Sequence, residues 1–154
     1  MQTDGAAARA PEAATLMQRW FDEVWNEGRA ESIDELTAPD VQMWGISRPE
    51  APSQGTEEFK AFYHRIRAAF PDTHIALEQV IQEGDTAFGR WTATMTHTGE
   101  GLPVPPTNKA LTICGMSSCR VLNGKVVEAW NIWDQIGMAR QLGMLEGRAA
   151  EMFS

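Results

Sequence analysis

The segment RVLNGKVVEAWNIWDQIGMARQLG, residues 120–143, decides how this sequence folds. Its pattern indicates the end of one strand, a tight turn at Asn123-Gly124, a second strand rich in tryptophan, and a closing helix. The turn can be a two-residue loop, or a three-residue loop that starts at Leu122 and ends in a glycine bulge. We favour the three-residue loop, because Gly124 readily adopts the left-handed conformation that this bulge requires.

The length of this loop determines which side chains share a face of the sheet. In the three-residue loop Val121 lies opposite Lys125, which places Ser117 opposite Ala129. Asn131 then projects from the same face as Ser117. This face carries small and apolar groups around a single amide, as expected of a pocket lining. A two-residue loop would place Ser117 and Asn131 on opposite faces.

The composition is that of one ordinary globular domain. With 43% apolar and 22% charged residues among 154, we expect a single domain over residues 12–146, between a flexible N-terminal tail (1–11) and a C-terminal tail (147–154). The net charge of −8 argues against nucleic acid and anionic membranes as partners. No segment is long enough to span a membrane, and the N-terminus lacks an apolar signal core, so we expect a cytoplasmic protein.

Helical spacing dominates the first half of the chain. Apolar residues repeat at helical intervals from residue 11 up to Gly28, which can end this helix. A short helix is predicted over residues 31–36 and a short strand over residues 41–44. Thr56 is suited to cap the next helix.

Beyond residue 71 the pattern alternates as it does in strands. It predicts strands over residues 75–82, 86–97 and 109–121 before the tryptophan-rich strand, with a loop rich in Gly and Pro at residues 98–107. This order favours an α+β fold rather than a parallel doubly wound sheet. A strongly curved antiparallel or mixed sheet, with helices packed on its concave face, would enclose a cone-shaped cavity.

Two polar residues near these strands each allow a structural and a functional interpretation. Arg90 lies on the face opposite to Trp91, and is either an outer charge or a buried ligand for an anion or a carbonyl group. Asp134 follows the last strand, where we favour an N-cap of the closing helix over a catalytic role.

The sequence contains no motif for a metal, a nucleotide or a serine nucleophile. Its three histidines share no metal-ligand spacing, its glycines form no phosphate-binding loop, and there is no Gly-x-Ser-x-Gly elbow. We therefore expect neither a metal nor a cofactor. Cys114 and Cys119 project to opposite faces of one predicted strand, so they cannot form a disulfide with each other.

Three segments carry a family resemblance. They are AAFPD at residues 68–72, THTGEGLPVPPT at residues 96–107 and LNGKVVEAWNIWDQIGMARQLG at residues 122–143. In order and spacing they resemble the SnoaL-like polyketide and ester cyclases of the nuclear-transport-factor-2-like superfamily, over residues 13–145. The resemblance implies a conical α+β barrel, a homodimer formed through the outer sheet face, a deep apolar pocket, and chemistry without metal or cofactor.

The resemblance also implies site positions, at which this sequence departs from the family. In the aldol cyclases of the family a catalytic Asp stands three residues before the aspartate that matches Asp134, and this position is Asn131 here. The assisting His falls on Ser117. An amide neither takes nor gives a proton at ordinary pH, but it donates two hydrogen bonds and accepts at its oxygen. Asn131 can therefore hold an enolate or carbonyl oxygen.

More distant relatives implied by the resemblance are epoxide hydrolases, which use an Arg and two Asp. Arg90 matches that Arg, whereas Thr92 and Asn131 replace the two carboxylates. His97 matches a His found in many family members at the end of a strand. It is either a general base or an anchor for the loop that follows.

Two functional hypotheses follow. The first is a cofactor-independent enzyme of the cyclase, isomerase or lyase type, acting on a hydrophobic aromatic or polycyclic carbonyl compound. Asn131 would bind oxygen, Arg90 would neutralise charge, and His97 or Asp134 would be the base. The second is a ligand-binding protein that lost the family's acid-base residues. Under both hypotheses the predicted substrate-binding residues are Trp20, Met43, Trp44, Phe62, Tyr63, Ile66, Ser117 and Trp133.

The opposite face of the last hairpin carries apolar residues. Met116, Trp130 and Ile132 would project outward and form an apolar patch. Such a patch on a globular protein is best explained as a homodimer interface.

Overall fold

The computed structural model describes residues 12–46 and 48–152; the predicted N-terminal tail, residues 1–11, lies outside this range. Helices precede most of the sheet, and two short helices follow it. The elements are α1 (Glu12–Arg19), a π-helical segment (Trp20–Asn26), α2 (Glu31–Leu36), β1 (Thr37–Trp44), β2 (Ser53–Gln54), α3 (Gly55–Ala69), β3 (His74–Glu83), β4 (Thr86–Thr96), β5 (Ala110–Leu122), β6 (Lys125–Trp133), α4 (Gln135–Gln141) and α5 (Arg148–Met152).

The described strands form one six-stranded sheet in the order β2-β1-β6-β5-β4-β3. Neighbours are antiparallel except β1 and β6, which run parallel, so the sheet is mixed. The predicted α+β class with a curved, mostly antiparallel sheet is confirmed. The sheet stays open, because β2 and β3 lie at its two edges and do not pair with each other.

The core lies between the concave face of the sheet and the helices. On β4 every second residue is buried, including Trp91, Ala93 and Met95, as the alternating pattern predicts. Phe21 of the π-helical segment packs against Trp91, with 6.1 Å between the ring centroids. Helix α3 contributes Phe59, which is 2% exposed. The helices therefore cover the apolar face of the strands.

The first helix differs from the predicted α-helix, because its second half is π-helical. The N–H of Glu27 donates to the carbonyl of Asp22, five residues earlier, over 2.8 Å. A wider turn brings residues five apart nearer to the same side of the helix than an α-helix does. Trp20 and Trp25 are five apart, and both border the cavity described below.

The prediction that Thr56 caps α3 is wrong. Helix α3 starts at Gly55, directly after β2, and its N-cap residue Gln54 makes no side-chain capping hydrogen bond. Thr56 is buried, and its side chain faces Asp34, whose pKa is lowered mainly by Lys60 and to a lesser degree by Thr56. Thr56 therefore contacts a residue far away in the sequence and does not cap its own helix.

The predicted register of the last hairpin is wrong as well. Leu122 pairs with Lys125, so the loop has two residues, and both of them, Asn123 (φ 51°) and Gly124 (φ 76°), are left-handed. A bulge between Arg120 and Val121 then shifts the pairing by one residue. A two-residue loop of this kind matches the right-handed twist of the strands, which favours it over the longer loop.

The bulge restores the shared face that the prediction required. Ser117 pairs directly with Asn131, and not with Ala129. Without the bulge Ser117 would lie opposite Trp130. The extra residue in β6 changes the alternation by one step, so both polar side chains point to the concave side.

The last described element is a short helix that the sequence did not predict. Helix α5 lies within the segment interpreted as a C-terminal tail, and none of its residues is buried. Among the described residues no helix combines the length and apolar character needed to cross a bilayer.

Candidate functional site

A cavity of about 120 Å³ lies between the concave face of the sheet and the helices. Apolar and aromatic side chains make up most of its wall, with Met17, Trp20 and Phe59 from the helices and Trp91 and Ile113 from the strands. No Asp, Glu, His, Lys or Arg borders it among the described residues. The described wall of the cavity is therefore mostly apolar and carries no charged side chain, which suits an apolar ligand.

One chain of hydrogen bonds crosses this apolar wall. The indole Nε1–H of Trp91 donates to Ser117 Oγ over 3.0 Å, and Ser117 Oγ–H donates to Asn131 Oδ1 over 2.8 Å. Asn131 Nδ2–H donates to the carbonyl oxygen of Trp44 over 3.1 Å. We call Trp91, Ser117 and Asn131 the polar chain.

This arrangement needs glycine at two positions, because neighbouring groups lie too close there to leave space for a Cβ. A Cβ at Gly115 would lie 2.3 Å from the Trp91 ring, so only glycine lets the indole lie across β5 and reach Ser117. Gly45 has φ +74°, and a Cβ there would lie 1.8 Å from the Asn131 carbonyl oxygen. β1 therefore approaches β6 closely enough for the Asn131 amide to bond Trp44.

The polar chain retains unused hydrogen-bonding capacity at Asn131. Its Nδ2 carries two hydrogens and its oxygen two lone pairs, and the chain uses one of each. Asn131 can thus offer one N–H to the oxygen of a ligand. Cys119 also borders the cavity, but burial raises its pKa to about 11, which keeps the thiol protonated and inert near neutrality.

Sequence comparison identifies the family. A model of SnoaL-like polyketide cyclases matches residues 15–142. The chain belongs to the SnoaL-like polyketide cyclase family. The resemblance noted in the sequence is confirmed, whereas a search of curated proteins finds no match.

Solved structures agree with this assignment. IdmH of Streptomyces antibioticus, a proposed polyketide cyclase, is 29% identical over 85% of this chain and 98% of its own, with a TM-score of 0.73. AclR of Streptomyces galilaeus, a proposed hydroxylase, is 25% identical over 88% of this chain and 98% of its own, with a TM-score of 0.77. A SnoaL-like protein of Jannaschia sp. CCS1, 22% identical over 90% and 98% of the two chains, shares the fold with a TM-score of 0.79.

The structure brings many of the predicted SnoaL-like site residues together. Asn131 borders the cavity, and so do six of the eight residues predicted to bind substrate: Trp20, Met43, Phe62, Ile66, Ser117 and Trp133. Their roles in binding remain predictions.

Arg90 and Trp44 lie on the other side of the sheet, so the prediction that they face the cavity is wrong. Arg90 pairs with Glu78 on the convex face, and its side chain is 49% exposed. Trp44 stacks on Trp130 with 4.5 Å between ring centroids. The reason is alternation along a strand: Trp44 follows the cavity residue Met43 and points the opposite way.

Tyr63 and His97 are buried in the protein but do not border the cavity. The Tyr63 hydroxyl donates to the carbonyl of Val24 over 3.0 Å. His97 is fully buried, and its Nδ1 accepts from the backbone N–H of Thr107 over 3.2 Å. The loop-anchor interpretation of His97 describes this geometry, and its ring does not reach the cavity as a base would have to.

Asp134 acts as the N-cap of α4. Its Oδ1 accepts from the N–H of Gly137 over 2.7 Å, which confirms the structural interpretation. A Cβ at position 137 would meet the carboxylate of Asp134 at 1.9 Å, so the cap also requires glycine there. Asp134 does not border the cavity, which leaves the cavity wall without any of the predicted bases.

Trp91 is a site residue that the sequence did not predict. The alternating pattern placed it on the strand face opposite to Arg90, but its contact with Ser117 was not predicted. A signal was present, since Gly115 lies within a long strand, and a glycine there often marks the close approach of another group.

The described residues contain no cluster of three or more His, Cys, Asp or Glu that could hold a metal ion.

Proposed function

We propose that the protein is a cofactor-independent enzyme of the cyclase type, which binds a hydrophobic aromatic carbonyl compound in the cavity. The single observation that carries this proposal is the polar chain in a mostly apolar wall, with one N–H of Asn131 left to donate. Membership of a family of polyketide cyclases and the similarity to IdmH support a cyclase-type reaction.

In this proposal Asn131 stabilises the oxygen of the substrate. A donor in a water-excluded site interacts more strongly with a developing oxyanion than the same donor does in water. The bond from Ser117 to Asn131 Oδ1 and the bond from Nδ2 to Trp44 hold the amide in one orientation. One such donor lowers the barrier of an acyl-transfer reaction by about 3 kcal/mol.

The remaining catalysis comes from orientation. A narrow apolar cavity holds a flexible carbonyl compound in a folded conformation, which favours the intramolecular reaction. The described residues of the cavity wall include no acid or base that titrates near neutrality. Proton transfers in this proposal therefore pass between groups of the substrate itself.

Binding and turnover of simple ketones test the proposal. The first probe is acetophenone labelled with ¹³C at its carbonyl carbon, whose chemical shift reports a hydrogen bond to the oxygen. The second is 1-phenylhexane-1,5-dione, whose intramolecular aldol condensation yields 3-phenylcyclohex-2-enone. We expect the bound ketone to show a downfield carbonyl shift and the diketone to cyclise faster with protein than without it.

Asn131→Ala should remove the carbonyl shift and lower the cyclisation rate by about a hundredfold, because it deletes the donor. Gln42→Ala is the matched control, since it deletes an exposed amide from the same sheet. A carbonyl shift that persists in Asn131→Ala would contradict the proposal.

A ligand-binding protein without catalysis is the second candidate. The observation that favours it is the absence of an acid or base from the described cavity wall. In that case the ketone would still show the Asn131-dependent shift, while the diketone would cyclise at the rate measured without protein.

We also propose a homodimer formed through the convex sheet face. Met116, Trp130 and Ile132 are 62%, 46% and 76% exposed, and Phe88 of β4 is 55% exposed. An apolar surface of this kind on a single sheet face is typical of a subunit interface.

A further inference from the structure

A wider cavity of about 700 Å³ adjoins the first on its outer side. We call it the outer cavity and the first one the inner cavity. The same five residues border both, and we call them the collar: Ile46, Phe62, Ile66, Trp133 and Met138. A ligand in the inner cavity can therefore extend through the collar into the outer cavity.

The inner cavity limits the part of the ligand that it can hold. Its volume of about 120 Å³ is close to that of an engineered cavity of about 150 Å³ that binds benzene. One aromatic ring matches this space, whereas a fused polycyclic system does not. The rest of a larger substrate would lie in the outer cavity.

The outer cavity differs from the inner one in charge. Arg48 and Arg65 border it, and no Asp or Glu does so among the described residues. This is unexpected from composition, because the protein has 21 acidic and 13 basic residues. Glu50 and Glu100 are close in sequence to this region, but neither contributes to the wall.

The position of Arg65 connects the charge to the collar. It lies on α3, with its guanidinium carbon 5.8 Å from the centroid of the Phe62 ring, within the range of a cation–π contact. Loop residue Gly101 packs closely on Arg65, since a Cβ there would lie 3.3 Å from its Cγ. The exposed side chain of Arg65 thus lies beside the path that leads to the inner cavity.

Neither arginine has a carboxylate partner among the described residues. Other arginines do: Arg19 and Arg29 both pair with Glu23, and Arg90 pairs with Glu78. Two unpaired guanidinium groups at one concave surface raise the local positive potential and attract anions. Guanidinium also matches the geometry of a carboxylate.

We propose that the substrate carries a carboxylate at the end opposite to its aromatic ketone, and that Arg48 and Arg65 bind this carboxylate in the outer cavity. The inference rests on the proposed function of the inner cavity, because it takes the ring and the carbonyl group to lie there. The sequence suggested an aromatic or polycyclic substrate. The inference narrows this to a compound with one aryl ketone ring and an acidic side chain.

The test compares an acid with its neutral ester. The probes are 4-oxo-4-phenylbutanoate and its methyl ester, and binding is measured by titration calorimetry. We expect the acid to bind roughly tenfold more tightly than the ester, because only the acid interacts with the two charges. This preference should shrink as the salt concentration rises from about 0.02 M to about 0.5 M, because salt screens exposed charges.

Single substitutions assign the preference to the two arginines. Arg48→Ala and Arg65→Ala should each lower the acid-to-ester preference about threefold, because each removes one of the two charges that only the acid can use. Arg65→Lys keeps the charge and should retain most of the preference. Arg148→Ala is the matched control, because it removes the same charge from exposed α5, away from both cavities.

The outcomes separate this inference from the proposed function. Equal binding of acid and ester, with the Asn131-dependent carbonyl shift intact, overturns the carboxylate site alone. A loss of preference in Arg148→Ala as large as in Arg65→Ala also overturns it, because net charge would then explain the effect. If neither compound binds, the carbonyl-binding proposal fails together with the inference.

Discussion

The two faces of strands β5 and β6 depart from the usual distribution of residues in opposite ways. The concave face lies under helices, yet it carries the hydroxyl of Ser117 and the amide of Asn131. The convex face is open, yet it carries Met116, Trp130 and Ile132. Buried polar groups and exposed apolar patches are the informative exceptions to ordinary burial. The two proposals assign one contact to each face, a small molecule to the concave face and a second subunit to the convex face.

Replacing Gly45 should have the largest effect, because it disrupts the close contact between β1 and β6 that orients Asn131. Gly45→Ala places a Cβ 1.8 Å from the Asn131 carbonyl oxygen at a left-handed φ of +74°. We expect the free energy of unfolding to fall by about 4 kcal/mol, from overpacking plus backbone strain. Denaturant unfolding measures this loss.

Gly84→Ala is the matched control for Gly45→Ala. Gly84 also has a left-handed φ of +59°, but no atom lies within 4 Å of the added Cβ. Gly84→Ala should lower the free energy of unfolding by only about 1 kcal/mol, from backbone strain alone. Equal losses in the two variants would show that the close approach of β1 to β6 is not required.

The convex face is tested by Ile132→Asp. Ile132 is 76% exposed, so a charge there should barely affect the folding of the single chain but should disfavour an apolar interface. We expect the dimer to weaken by roughly 3 kcal/mol, measured by sedimentation equilibrium. Ketone binding in the inner cavity should be unchanged, which would separate the two faces.

A charge elsewhere provides the control for Ile132→Asp. Ala61 is exposed on α3, and Ala61→Asp should leave the oligomeric state unchanged. A wild-type protein that sediments as a monomer at micromolar concentration would remove the dimer proposal.

The finest comparison uses two adjacent serines of β5, of which only Ser117 belongs to the polar chain. Ser117→Ala breaks the polar chain and leaves the Trp91 Nε1–H without its acceptor, so we expect a loss of about 1.5 kcal/mol in the free energy of unfolding. Ser118→Ala should change it by less than about 0.5 kcal/mol. Thermal unfolding of both variants measures the difference, and similar losses would mean that the polar chain adds no stability.

Much of the fold was predictable because it depends on local patterns. The alternation along β4 placed Trp91 on the face opposite to Arg90, and the structure confirms it, with Trp91 in a row of buried residues and Arg90 exposed. Asp134 was predicted as a helix cap from its position at the end of a strand, and it is one. Residues 31–36 form the predicted second helix. Each of these features is encoded within a few consecutive residues.

The candidate site was predictable only in part. Ser117 and Asn131 were expected on one face, and they share it, but through a two-residue loop and a bulge instead of the three-residue loop. Arg90 was considered for the cavity because an arginine in a strand can face either way, and only its pairing with Glu78 on the convex side decides the question. His97 likewise required its contact with Thr107 to be interpreted.

By itself the sequence determined the α+β class, the turn at Asn123-Gly124, the family, and the presence of Ser and Asn at positions 117 and 131. These depend on residue type and local spacing. Only the tertiary structure decided that Met43 rather than Trp44 faces the cavity, and that Trp91 completes the polar chain. The reason is that strand register and close packing arise from pairing between segments far apart in the chain, and a shift of one residue exchanges the two faces of a strand.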